Sequence, residues 1–275
     1  MPRTVARSKD LPDFSNPPLN EVTLGVQFLP PSGYQQIRAG EVWDLYKEKY
    51  PDVQEHPPLM PNFEIFGLPN AEFSMSPQIG FINGGIHNRF WFLSTKSDEL
   101  IQFQQDRLLH NWRKVGDGVN EYPRFESTSA QFRDELYQLE QYVNGLSSQT
   151  LSINQCEMSY VNHIFLGEIE NSRISDWIRF LNFADRDPDF LSIGFGETIL
   201  GTDSKPQGRL YCEMSRASTM DGRSMIVLTL TVRGKPVGAD IESALQFMAT
   251  GRNLIVHKFA ELTTDLAHKI WGRKN

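Results

Sequence analysis

Six histidines, two cysteines and a few arginines beside aromatic residues are the groups in this 275-residue chain that could do chemistry. The histidines do not pair. His56 stands in a proline-rich stretch, and His87, His110 and His163 stand in or beside apolar runs. His257 and His268 fall eleven residues apart near the end. On one helix that spacing is about three turns, or ~16 Å, too far for two imidazoles to share an ion. Cys156 and Cys212 have no second cysteine at metal spacing. They predict buried thiols in a reducing, cytoplasmic setting, with no disulfide framework, no metal and no cofactor. Asp185, Asp187 and Asp189 are spaced as in a calcium loop, but Phe190 and Gly196 stand where that loop needs Gly and Glu. Gly194, Gly196 and Gly201 lie between strand-like runs, with no helix to receive a phosphate at its N-terminus.

One basic and aromatic cluster remains: Arg107, His110, Trp112, Arg113 and Lys114. As a strand it places Arg107, Asn111 (or Leu109) and Arg113 on one face, and His110 with Trp112 on the other. A cationic face beside a tryptophan can receive a phosphate or a stacked base. Arg89 and Arg209 each enter an apolar run, and they join this set as candidate ligand- or nucleic-acid-binding residues. No Ser-His-Asp order and no nucleophile elbow is present, so catalytic residues stay unassigned. An enzyme would need Glu157, Glu213, His110 and His163 to meet in one cleft.

The elements that must position these groups read as two similar halves. Asn88 to Ser94 and Gly208 to Ser215 are both apolar runs entered by arginine and left by serine. Each is followed by a polar turn, Thr95 to Asp98 and Met220 to Arg223, and then by another run. The layout predicts a flexible tail over 1–15, a first half over 16–146 and a second over 147–275, forming one compact unit. Val22, Leu24, Val26 and Phe28 alternate with polar residues and predict a strand over 21–28. A helix is expected over 37–50, then an irregular proline-rich segment with a short strand over 62–68. Gly84 and Gly85 introduce the strand Arg89 to Ser94. Residues 99–114 favour strand over helix. A helix over 129–144 is capped by Ser127 or Thr128 and ended by Gly145.

The second half opens with a strand over 154–166 and a helix over 174–183 with Trp177, Ile178 and Leu181 inward. Strands over 190–200, 208–216 and 224–233 follow. Asp240 then caps a helix of about 30 residues, ~45 Å long, which Gly251 could bend. The fold class is α+β: two related strand-helix-strands-helix halves share a mostly antiparallel sheet, with the long C-terminal helix packed on it.

A net charge of −7 disfavours broad binding to nucleic acid, which works by neutralising many phosphates. The basic N-terminus lacks the apolar run of a secretory signal, and no run is long enough to cross a membrane, so no membrane partner is expected. Asn16 to Phe28, Arg89 to Ser94 with Gln102 to Lys114, Tyr160 to Ile164 and His268 to Gly272 together resemble a sporadically distributed, uncharacterised bacterial family of about this size. The resemblance spans nearly the whole chain and carries no catalytic residues. Its patchy distribution implies accessory or mobile-locus genes, including defence. The function expected is a non-enzymatic binding or interaction protein with a protein partner or small ligand. The alternatives are a nucleic-acid binder using the basic-aromatic face and an enzyme with a pocket between the halves.

Overall fold

In the computed structural model, residues 10–67, 87–116 and 120–275 are described. The expected Gly84–Gly85 lead-in and residues 1–9 of the expected tail lie outside them. The nine strands among these residues form one antiparallel sheet in the order β2-β3-β4-β5-β1-β6-β9-β8-β7. The strands are β1 (Leu19–Phe28), β2 (Asp52–His56), β3 (Arg89–Leu93), β4 (Glu99–Gln104), β5 (Arg107–Arg113), β6 (Ile153–Phe165), β7 (Ser192–Leu200), β8 (Pro206–Ser218) and β9 (Ser224–Gly234). The chain is α+β. Strand, helix, strands and helix succeed one another twice, and the first strands of the two runs, β1 and β6, pair at the sheet centre from Leu19 to Phe28.

Alternation decides the two faces. Val22, Leu24, Val26 and Phe28 point one way and are buried, as are Cys156 and Met158 opposite them. Over this face lie α1 (Ala39–Tyr46), α2 (Phe125–Ser147), the short α3 (Ile174–Trp177), α4 (Ile241–Leu262) and α5 (Asp265–Ile270). The apolar stripe of α4, including Leu245, Met248, Ile255 and Phe259, is buried. Asp240 caps α4 by accepting the Ser243 N–H at 2.9 Å. Gly251 lies against Val232 of β9, where a Cβ would come within 3.1 Å of Val232 Cγ1.

Several expectations are corrected. The C-terminal helix is two helices, not one of 30 residues. The break is at Thr263 and Thr264, both extended, rather than at Gly251. Thr263 bridges to Ile178, and the Thr264 hydroxyl accepts the Ala267 N–H to start α5. The helix expected over 37–50 is a 3-10 turn at 36–38 plus α1, and Asp52–His56 forms an edge strand inside the stretch read as irregular. The described part of 62–68 is not a strand. Residues 99–114 are two strands with a turn at Gln105–Asp106. The middle helix begins four residues early, at Phe125, with Arg124 at φ 74° before it and no side-chain cap. The helix expected over 174–183 stops at Trp177, because Ile178 pairs with Thr263; Trp177, Ile178 and Leu181 are still buried.

Residues 10–15 are packed where a flexible tail was expected. Leu11 and Phe14 are buried, and Ser15 and Asn16 donate their N–H groups to Gly272 and Trp271 carbonyls at 3.0 Å. Phe14, Phe259, Trp177 and Trp271 form one aromatic cluster, with the two tryptophans stacked at 5.8 Å. The matched arginine-entered runs are β3 and β8, each second from its own edge of the sheet. Two strands separate β3 from central β1, and one separates β8 from β6.

Candidate functional site

The sheet face away from the helices carries the charge. Strand register gives one row across all nine strands: Gln54, Trp91, Gln102, Leu109, Gly25, Glu157, Arg233, Arg209 and Thr198. Five arginines share this open face, because strand alternation puts Arg89, Arg107, Arg113, Arg209 and Arg233 opposite in sense to the core residues of their own strands.

Their partners differ. Arg107 is buried and gives Nε and Nη2 to the two Asp106 oxygens at 3.0 Å each. Arg233 donates Nε to Glu157 at 2.6 Å. Arg89 and Arg113 have no carboxylate partner among the described residues. Arg89 Nη1 donates to Gln102 Oε1 at 2.5 Å, its Nε is buried with no partner among those residues, and Arg113 Nε donates to the Ser97 carbonyl at 2.8 Å. Burial, and then the neighbouring Arg107 charge, push the Arg89 guanidinium below its ordinary value, as expected for an uncompensated cation. Both guanidinium groups lie within 6 Å of the Trp91 ring, at 5.5 and 5.8 Å, and the His56 ring packs on the same indole at 4.1 Å. Gln102 extends this cluster inward by donating to Asn111 at 2.8 Å, and Asn111 donates to Glu21 and Thr23 at 2.6 and 2.7 Å.

Residues 57–67 cross this face as a strap. Gln104 of β4 accepts the Leu59 N–H at 2.8 Å and donates to the Leu59 carbonyl at 3.0 Å. Gln27 of β1 treats Asn62 the same way, at 3.2 and 3.0 Å. Three extended residues span ~10 Å, close to the two strand spacings between β4 and β1. Glu64 then reaches β8 and β9. Tyr211 donates its hydroxyl to Glu64 at 2.7 Å, and Arg209 and Arg233 lie 3.3 and 3.7 Å from the carboxylate, whose side chain is 5% exposed. Burial and the Glu64 charge push the Tyr211 phenol up to about 12, so it is a neutral donor. Phe66 lies under the Arg209 guanidinium at 5.3 Å. Between strap and sheet is a chamber of about 190 Å³, floored by Gly25, Leu109 and Gln155. Gln155 is 2% exposed, and its Nε2 has no partner among the described residues.

The other expected residues lie elsewhere. His110 is 1% exposed on the helix face, where its Nδ1 lies 3.0 Å from Glu135 of α2. Trp112 is also in that core, 5.2 Å from the Tyr122 ring. Lys114 lies near Glu168, whose carboxyl burial raises and the Lys114 charge lowers. Glu157 and Glu213 share the open face but stand in different rows, opposite Arg233 and Thr229. His163 stands opposite Val227, six residues along β6 from Glu157. The four groups an enzyme cleft would need therefore do not meet. A smaller cavity of about 70 Å³ lies between the halves where α2 and α4 meet over β1 and β6, lined by Phe14, Tyr122, Phe125, Tyr160 and Phe259. Among the described residues no group of three His, Cys, Asp or Glu side chains could hold a metal, and no helix is long and apolar enough to cross a membrane.

Sequence reasoning missed Trp91, Arg233 and the strap. Trp91 and Arg233 were readable in principle, since each occupies an alternate position in a clear strand. Gln27, Gln104 and Glu64 had no local signal, because they meet only through the sheet.

No family model matches the chain, nor does any curated protein sequence. A solved structure, the di-domain ARO/CYC StfQ from the steffimycin biosynthetic pathway, is 11% identical over 91% of this chain and 97% of that chain, at a TM-score of 0.17. A likeness at that level carries no functional argument.

Proposed function

We propose that this chain is a binding protein that catalyses no reaction and holds its partner on the open face of the sheet. The observation that carries the reading is the pair Arg89 and Arg113. They are two guanidinium groups without carboxylate partners among the described residues, set beside Trp91 and His56, on a chain whose net charge is −7. Such cations attract an anionic group, and the adjacent indole gives it a flat apolar neighbour. The test is partner retention from a host lysate by Arg89→Glu with Arg113→Glu, compared with Arg133→Glu with Lys258→Glu on the helix side. Loss confined to the first pair is expected. Equal retention by both pairs would remove the open face from the argument.

Single-stranded nucleic acid on the same face is a second reading, favoured by Trp91 between nearby arginines. The ion pairs already made by Arg107, Arg209 and Arg233 weigh against it, since those cations are spent. Binding of an oligothymidylate that weakens steeply with salt, and less steeply in Arg89→Ala with Arg113→Ala, would favour it.

A further inference from the structure

We infer that the strap is an internal stand-in for the ligand, and that the face beneath it binds an extended acidic peptide from a partner protein. This deepens the reading of the open face as the binding surface and rests on it. The strap shows what the face recognises. Gln104 and Gln27 each accept an N–H and donate to the carbonyl of a single residue, Leu59 and Asn62, so they read extended backbone rather than side-chain identity. Two residues after Asn62 the Glu64 carboxylate enters a notch made by Arg209, Tyr211 and Arg233. Two residues further, Phe66 meets the Arg209 guanidinium. The specificity is therefore an extended segment with a carboxylate two residues before an aromatic ring.

The strap fits this face incompletely. It leaves the 190 Å³ chamber beneath Leu59, Met60 and Asn62, above a buried Gln155 amide whose nitrogen has no partner among the described residues. It also turns Phe63 and Ile65 to solvent at 48 and 53% exposure. A partner segment that fills the chamber and gives Gln155 an acceptor binds better than the strap, and it must first displace the strap. The tether holds the strap at high effective concentration, so competition in cis lowers the apparent affinity for any peptide in trans.

The test uses the full-length chain and a fluorescein-labelled synthetic peptide of residues 57–67, read by anisotropy. Glu64→Ala in the protein empties the notch. Asn62→Pro removes the N–H that Gln27 accepts, and so loosens the strap at a second clamp should the first variant fold poorly. Circular dichroism and melting confirm folding in each. The labelled peptide is expected to bind either variant about tenfold more tightly than it binds the unaltered chain. The same peptide carrying Glu→Gln at its position 64 is expected to lose that binding, as is the native peptide against Tyr211→Phe in the Glu64→Ala background.

Three results overturn the inference: no peptide binding to either folded variant, binding indifferent to the Glu→Gln change, or an oligothymidylate bound where the peptide is not. Failure here leaves the open-face reading standing if Arg89→Glu with Arg113→Glu still releases the lysate partner. Failure of both experiments removes that reading as well.

Discussion

His110 and Glu135 test the assignment of faces most directly, because sequence placed His110 among the binding candidates and the fold puts it in the core. Its Nδ1 lies 3.0 Å from a Glu135 oxygen. The Tyr50 hydroxyl donates to Glu135 at 2.7 Å, and Gln131 donates to Tyr50 at 2.6 Å and to Glu135 at 3.0 Å. All of this is enclosed between β5, α1 and α2. Glu135→Leu leaves the imidazole and the Tyr50 hydroxyl facing an apolar side chain, and removing one partner of a buried pair costs ~3–5 kcal/mol. His110→Leu leaves the carboxylate two remaining donors, so its cost falls at the lower end, about 3 kcal/mol. If the groups act as a unit, the double replacement costs about as much as the worse single one, and a coupling of about 3 kcal/mol appears in the cycle. At roughly 2–4 °C per kcal/mol, Glu135→Leu lowers the melting temperature by about 6–20 °C. Thermal unfolding of the four proteins, with urea titration beside it, measures the cycle. Single costs under about 1 kcal/mol, or single costs that simply add, would refute the packed unit. A folded His110→Leu chain that loses its partner would return His110 to the binding site.

Further outcomes follow from other buried groups. Burial alone pushes the Glu135 carboxyl up, but His110 and the Tyr50 and Gln131 hydrogen bonds outweigh it and hold it below the ordinary value. Its contribution to stability is therefore present above pH ~4.3 and lost as pH falls through the lower folded value. The melting gap between the unaltered chain and Glu135→Gln should narrow from pH 7 to pH 3; a constant gap contradicts the shift. Burial pushes the Cys156 thiol far up and the Cys212 thiol up to about 12. Neither should react with Ellman's reagent at pH 8 until guanidinium is added, and rapid labelling of one thiol in the folded chain would count against this. Gly234→Ala would drive a Cβ into the Gln207 carbonyl oxygen and put it 2.6 Å from Gly208 Cα, backbone that cannot yield. A loss of about 3 kcal/mol is expected in urea titration, and one below about 0.5 kcal/mol would mean that β8 and β9 separate easily there.

The strands were the legible part. Period-two alternation in Val22 to Phe28 and in Met225 to Val232 is a local pattern, and it marked both central and flanking strands. Helix ends were less legible, because α3 and α4 stop where Ile178 and Thr263 find one another from 85 residues apart in sequence. The basic half of the site could be read from alternation, which put Arg107 and Arg113 together and His110 and Trp112 opposite. Sequence gave no means of telling which of those faces the helices would cover. The strap was illegible for a different reason: side chains from β1, β4, β8 and β9 hold it, and no spacing in the sequence brings those strands together.

The pairing of Ser15 and Asn16 with Gly272 and Trp271 ties the segment before β1 to the one after α5. Folding of this unit therefore cannot finish before Trp271 and Gly272 have been made. Residues 14 and 273 are 259 residues apart, about 13–52 s of translation at 5–20 residues per second. Within that interval β1, a central strand in the finished sheet, waits with both edges bare until β5 emerges and with one bare until β6 does. Ribosome-stalled chains ending before Trp271 should stay open to protease at residues 10–16, and chains released past Arg273 should not.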